Sequence, residues 1–288
     1  MAKYFCISSP AGCYDDLVQY YVMKQIFEDV ALAMPSDAYF SQMANDFTKT
    51  VSNDPYGYNR YVSNWARIYT AANINSWTTS QINTQLAADL PLVGVGDGSA
   101  SHQVTFRALE NSEQADITSK LKGFAFQVQD THAPSIHQAP YSNATASTAL
   151  FDKLYASTDV KFIYIDFDDK FSSHFDTWWN KLNLTKSGDS TWQTNKAAYK
   201  SDVRNHMGTQ SWEQDSGPET ALKSYKTWTA GYPTHNSGAL DSRVHVLPID
   251  KLLDKDATTM SELATFLGVN VSTNASNLID EYRSATTV

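Results

Sequence analysis

Apolar positions along this chain switch repeatedly between strand-like runs and helical spacing. Tyr4 to Ser8 is a short apolar run, partly β-branched and aromatic, which predicts a buried strand. The small residues Ser9-Pro10-Ala11-Gly12 follow as a loop. From Asp15 onward Val18, Val22, Ile26 and Val30 recur at every fourth position, with Leu17 and Tyr21 widening the stripe, so a helix with a broad buried face is expected. Phe40, Met43, Ala44 and Phe47 keep helical spacing, as do Tyr61, Trp65, Ile68 and Tyr69 within 58–72. Thr78 to Ala88 predicts another helix, opened by a Thr-Thr-Ser cap cluster. A short strand is expected at Pro91–Gly96 and a strand of alternating pattern at Gly123–Gln129, which residues 130–134 leave as a loop. Thr145 to Ala156 reads as a helix, and Val160 to Ile165 as a central parallel strand covered on both faces. A helix then opens at Asp168 and Asp169 and runs through Phe171, Phe175, Trp178, Trp179 and Leu182. Helical stretches near 192–206 and 218–230 precede an alternating strand at Arg243–Ile249. Thr258–Leu267 is a short helix ended by Gly268, which suits the position after a helix C-cap, and Asn274–Arg283 is the last helix.

Strands separated by helices in this way indicate an α/β domain with a mainly parallel sheet. The 288 residues carry no internal repeat or linker, so a single domain over 1–288 is expected. Hydrophobic residues at 42% and aromatics at 12% supply ample core. The net charge of −9 argues against a nucleic-acid-binding face and against an anionic bilayer as partner. No apolar run approaches the roughly 20 residues of a membrane span, and the N-terminus reads as a strand without a signal-type apolar region. A soluble, cytoplasmic protein is the expectation.

Strand, small-residue loop and helix together point backbone N–H groups and the positive end of a helix dipole at an anion. The loop lacks the Gly-Lys-Ser/Thr ending of a phosphate-binding P-loop, and Gly94-Val-Gly-Asp-Gly98 reads as a turn. Cys6 falls in the first strand, where a buried thiol acts as a small hydrophobe. Cys13 lies near a helix N-terminus, where a thiolate is stabilised, but Asp15 and Asp16 oppose its ionisation. Both that acidic pair and Asp168/Asp169 read as first-turn residues complementing a helix dipole. His132, in a loop leaving a strand, is the candidate general base, because imidazole titrates near working pH. His132, His137, His174 and Asp168 match no established metal-ligand spacing, and no metal is expected.

Four segments, taken in order, resemble the PAPS-dependent sulfotransferase family. Phe5-Cys-Ile-Ser-Ser-Pro-Ala-Gly12 is similar to the family's Pro-x-x-Gly-Thr-Thr loop. Gln127-Val-Gln-Asp-Thr-His-Ala-Pro134 resembles its Lys-Thr-His-x-Pro segment. Val160-Lys-Phe-Ile-Tyr-Ile165 with the following helix resembles the strand and helix that grip the cofactor's 3′-phosphate. Val244 to Leu253 with Leu263-Ala-Thr-Phe-Leu-Gly268 resembles the family's closing strand and helix. The resemblance implies a three-layer P-loop-type fold and transfer of a sulfuryl group from PAPS to a hydroxyl on a small-molecule or carbohydrate acceptor. It implies His132 as catalytic base. It also implies Pro10, Ala11, Gly12, Cys13, Tyr14, Ser172 and Ser173 as residues contacting PAPS or its product PAP.

The chain departs from the family in its charges. Ala11 follows Pro10 where the family carries Lys or Arg, Phe167 stands where an Arg is expected, and the C-terminal Arg-Lys-Gly loop has no counterpart. Asp15, Asp16, Asp166, Asp168 and Asp169 lie close by in sequence. Each close pairing of an acidic group with a cofactor phosphate in a partly buried cleft costs about 1–4 kcal/mol. These charges oppose PAPS binding in the family's usual mode. They leave two further readings, a catalytically silent binding module on the same fold and another nucleotide-dependent phosphotransferase.

Overall fold

The computed structural model describes residues 4–8, 14–32, 67–90, 115, 119–129, 138–139, 153–157, 159–167, 190, 193–194, 197, 242–272 and 274–286. Its strands are β1 (Tyr4–Ser8), β2 (Arg67–Thr70), β3 (Phe124–Gln129), β4 (Gln138–Ala139), β5 (Val160–Asp166) and β6 (Val244–Pro248). They form one sheet in the order β2-β3-β1-β5-β6, parallel at every step, with β4 added antiparallel to β3. The expected α/β architecture with a mainly parallel sheet is present.

The strand pleat sorts side chains onto two faces, and each face is covered by helices. On one face, the Phe5 and His245 rings lie 6.2 and 5.1 Å from Phe266 of α5 (Ala257–Leu267), and Lys161 Nζ donates to the Phe266 carbonyl at 2.7 Å. The long helix α1 (Asp15–Asp29) shares that face, where Gln19 Nε2 donates to the Ala125 carbonyl at 3.1 Å. On the other face, Tyr4, Phe124, Phe126 and Tyr69 form a chain of edge-to-face rings. Tyr69 follows through by donating its hydroxyl to Asp89 of α3 (Thr79–Asp89) at 2.7 Å. Such ring pairs contribute about 0.5–1.5 kcal/mol each beyond the area they bury. Helix, sheet and helix therefore make three layers.

Local signals act as the residue types suggest. Thr78 opens α3 with a reciprocal cap: its hydroxyl accepts from Gln81 N at 3.2 Å, and the Gln81 side chain accepts from Thr78 N at 2.8 Å. Gly268 ends α5 in the left-handed region at φ 77, which a residue without Cβ adopts at little cost. A short helix α4 (Ile249–Leu253) follows β6, so Ile249 opens a helix rather than closing the last strand. The last helix is α6 (Ala275–Thr286).

Two further expectations change. Helical spacing over 58–72 gives way to a strand at Arg67–Thr70, and a helix, α2 (Ala71–Ser76), begins only afterwards. Ile68, Tyr69 and Thr70 are β-branched or aromatic, and β3 pairs with all of them, from Arg67↔Phe126 to Thr70↔Gln129. The stripe expected on α1 is also too narrow a description, since every residue from Leu17 to Phe27 is buried. Its polar members are paired: Gln25 Oε1 accepts from the distant Ser272 N at 2.9 Å, and Gln25 Nε2 donates one turn back to the Tyr21 hydroxyl at 3.0 Å. The elements expected within 33–66, at 91–96, from Asp168 onward and at 218–230 lie outside the described residues, as does most of 192–206.

One acid-sensitive contact lies in this packing. His245 stacks on Phe266, and its Nε2 is buried with no hydrogen-bond partner among the described residues. Burial pushes its pKa down, with the Glu262 carboxylate pulling the other way. The fold thus favours the neutral ring. Its contribution is complete above the ordinary His pKa of about 6.5 and is lost as pH falls through the lower folded value. Urea-melt stability is expected to decline on acidification through that window. His245→Phe, which keeps a ring on Phe266, should flatten that part of the profile, and parallel profiles for the two proteins would contradict the assignment.

Candidate functional site

Open parallel sheets bind ligands outside the carboxyl ends of the strands, where the strand order reverses. That point flanks β1, because the chain builds β2 and β3 on one side of it and β5 and β6 on the other. β1 stays paired with β5 to its last residue, Ser8↔Tyr164. Its register with β3 ends earlier, at Cys6↔Phe126. Beyond Phe126, one edge of β3 is held by β2, and β4 pairs with β3 through Val128↔Ala139 and Gln129↔Gln138. β1 and β3 therefore split at their carboxyl ends, with β4 wedged at the split, just where the chain leaves β1 for α1.

Of the residues expected to contact a cofactor, Tyr14 is described, whereas Pro10, Ala11, Gly12, Cys13, Ser172 and Ser173 lie outside the described residues. His132 also lies outside them, as do His137, His174, Asp168 and Asp169. The segment 130–137 that contains His132 is bounded by Gln129 and Gln138, which pair with each other at this same edge.

Tyr14 caps α1 with left-handed backbone, φ 66 and ψ 7, and its carbonyl accepts from Val18 N at 2.8 Å to close the first turn. Asp15 thus takes the first helical position and is not the cap. The Tyr14 ring is 5% exposed and lies 6.4 Å from Phe167 and 5.7 Å from Tyr282 of α6. Phe167, the residue after β5, is fully buried. The position where the resemblance calls for a guanidinium is therefore filled by an apolar ring packed beside the start of α1.

Lys161 and Arg243 are committed elsewhere, and the backbone of Arg67 is placed away from the loop. Arg67 opens β2, two strands from β1 and level with Cys6 rather than with the loop beyond Ser8. Lys161 and Arg243 lie near the amino ends of β5 and β6, where Lys161 serves the Phe266 carbonyl. Arg243 Nη1 donates to the carbonyls of Tyr155 and Ser157 at 2.8 and 3.1 Å. Cys6 is wholly buried and its thiol is pushed up to about 12 by that burial, so it is inert packing, as its strand position suggests. Among the described residues no group of three or more His, Cys, Asp and Glu is placed to hold a metal. Among them, too, no helix is long and apolar enough to cross a membrane.

Sequence reasoning did not find the Tyr14–Phe167–Tyr282 cluster. The only trace is the apolar spacing of Leu278, Ile279 and Tyr282, which announces a buried face on the last helix but not what that face meets.

No protein-family model matches the chain, and no curated protein sequence matches it. Among solved structures it resembles a sulfotransferase domain from the curacin biosynthetic pathway, at 13% identity and a TM-score of 0.38, over 95% of this chain and 76% of that domain. A likeness at that level does not bear on activity.

Proposed function

We propose that the split between β1 and β3 is the ligand crevice of a sulfotransferase-like protein, which transfers a sulfuryl group from PAPS to a hydroxyl on a small-molecule or carbohydrate acceptor. The observation that carries this reading is the switch point itself. β1 is paired to its end with β5, parts from β3 two residues earlier, and leads into the N-terminus of α1. In this reading the Ser9–Cys13 loop receives the phosphosulfate and His132 faces the acceptor. The acceptor oxygen attacks sulfur, the bond from sulfur to the bridging phosphate oxygen breaks, and PAP departs with that electron pair. His132 takes the acceptor's proton.

Phe167 favours a second reading, a binding module that keeps the crevice without the catalysis. A buried ring supplies nothing to the charge that builds on the departing phosphate, and stabilising such charge is usually the larger part of catalysis. Calorimetric titration with PAP, PAPS and ATP separates the readings. Saturable heat with PAP and PAPS but not ATP supports the sulfotransferase-like site. Preference for ATP points to phosphoryl transfer, and no heat with any of the three points to the module.

A further inference from the structure

Tyr14 has a left-handed backbone that a bulky L-residue adopts only when its surroundings hold it there. Its ring is held from two sides, by Phe167 at the end of β5 and by Tyr282, itself 4% exposed, on α6. α6 in turn is fixed along α1 in antiparallel sense. Gln25, in the second half of α1, bonds Ser272 just before α6, whereas Tyr14 at the start of α1 meets Tyr282 toward the end of α6. Ser272 Oγ accepts from Ala275 N at 3.1 Å at the head of α6. Arg283 pairs with Asp254 at 2.9 Å and Lys255 with Asp280, tying α6 to the turn after α4. The ring at position 282 is thus delivered to Tyr14 by a helix fastened along its length.

The geometry points to Tyr282 as a positioning residue: through the Tyr14 ring, the last helix holds the junction between the Ser9–Cys13 loop and α1 in its left-handed turn. This deepens the crevice reading above and names the residue that holds the turn by which its loop enters α1. The coupling itself exists whether or not the loop binds an anion.

Hydrogen–deuterium exchange on the full chain tests it without any ligand. In Tyr282→Ala, amides of residues 14–18 are expected to exchange about tenfold faster or more, while Met23–Phe27 and β5 keep parental rates. Tyr282→Phe retains the ring and should restore the parental pattern. In a Tyr14→Gly background, where the left-handed turn no longer needs a clamp, Tyr282→Ala should add little. Parental rates at 14–18 in Tyr282→Ala would overturn the proposal. So would a uniform rise through α1 and β5, because that marks general loosening. If the Ala variant does not fold, Tyr282→Leu keeps apolar burial without the ring, and the same local rise is required of it. Failure of PAP to bind would leave this result intact, and failure of this coupling would leave the crevice reading standing.

Discussion

Phe167→Arg is expected to destabilise the protein by at least the roughly 3–5 kcal/mol that removing a buried Phe ring costs. The ring is fully buried against Tyr14, so a guanidinium there gives up its water beside an aromatic ring. Domains of this kind have only about 5–15 kcal/mol of stability in total, so the variant should lose much of its cooperative urea transition. Phe167→Leu keeps an apolar side chain and should retain most of the parental midpoint. An Arg variant with parental stability would show that position 167 opens to solvent and can host a cation. The consequence for function is direct: the missing charge cannot simply be put back at 167.

His132→Ala is expected to lower sulfuryl transfer by about 10²–10⁴-fold while leaving PAP affinity near the parental value, the pattern of a lost general base. The comparison is made with PAPS and a panel of hydroxyl acceptors, measuring both turnover and PAP binding. Full activity in the variant would remove His132 from the mechanism. Absence of transfer by the unmodified protein with every acceptor, together with no PAP binding, would select the silent module.

How far these features can be read from the chain depends on how local their causes are. β1 and β5 were legible because a strand covered on both faces must be apolar at nearly every position, as Val160 to Ile165 is. The ends of α3 and α5 were legible because Thr78, Gln81 and Gly268 act within one helical turn. β2 was not, because four residues are too few to display a period of two, and Ile68 and Tyr69 fit a helical stripe equally well. What makes Arg67–Thr70 a strand is the edge of β3, which lies far along the chain. Gln19 and Gln25 fall outside the apolar stripe that the spacing marks on α1. Their partners, the Ala125 carbonyl and Ser272 N, are remote in sequence, and no local pattern announces them. The same holds for Tyr14, Phe167 and Tyr282, which meet only through the sheet and the last helix. The strand and helix beside the proposed crevice were legible, whereas their apolar flank was legible only as the single substitution of Phe167 for an expected Arg.

The crevice claim is tested most directly by titrating PAP into the unmodified protein and into Ala11→Lys by calorimetry. A hydrogen bond to a charged group contributes about 1.5–3 kcal/mol, and about 1.4 kcal/mol is a factor of ten in affinity. If the Ser9–Cys13 loop receives the phosphosulfate end and lacks only its cation, Ala11→Lys should bind PAP about tenfold or more tightly than the parent, with the urea midpoint unchanged. Equal PAP affinity in the two proteins, whether tight or immeasurably weak, would contradict the placement of the anion at that loop.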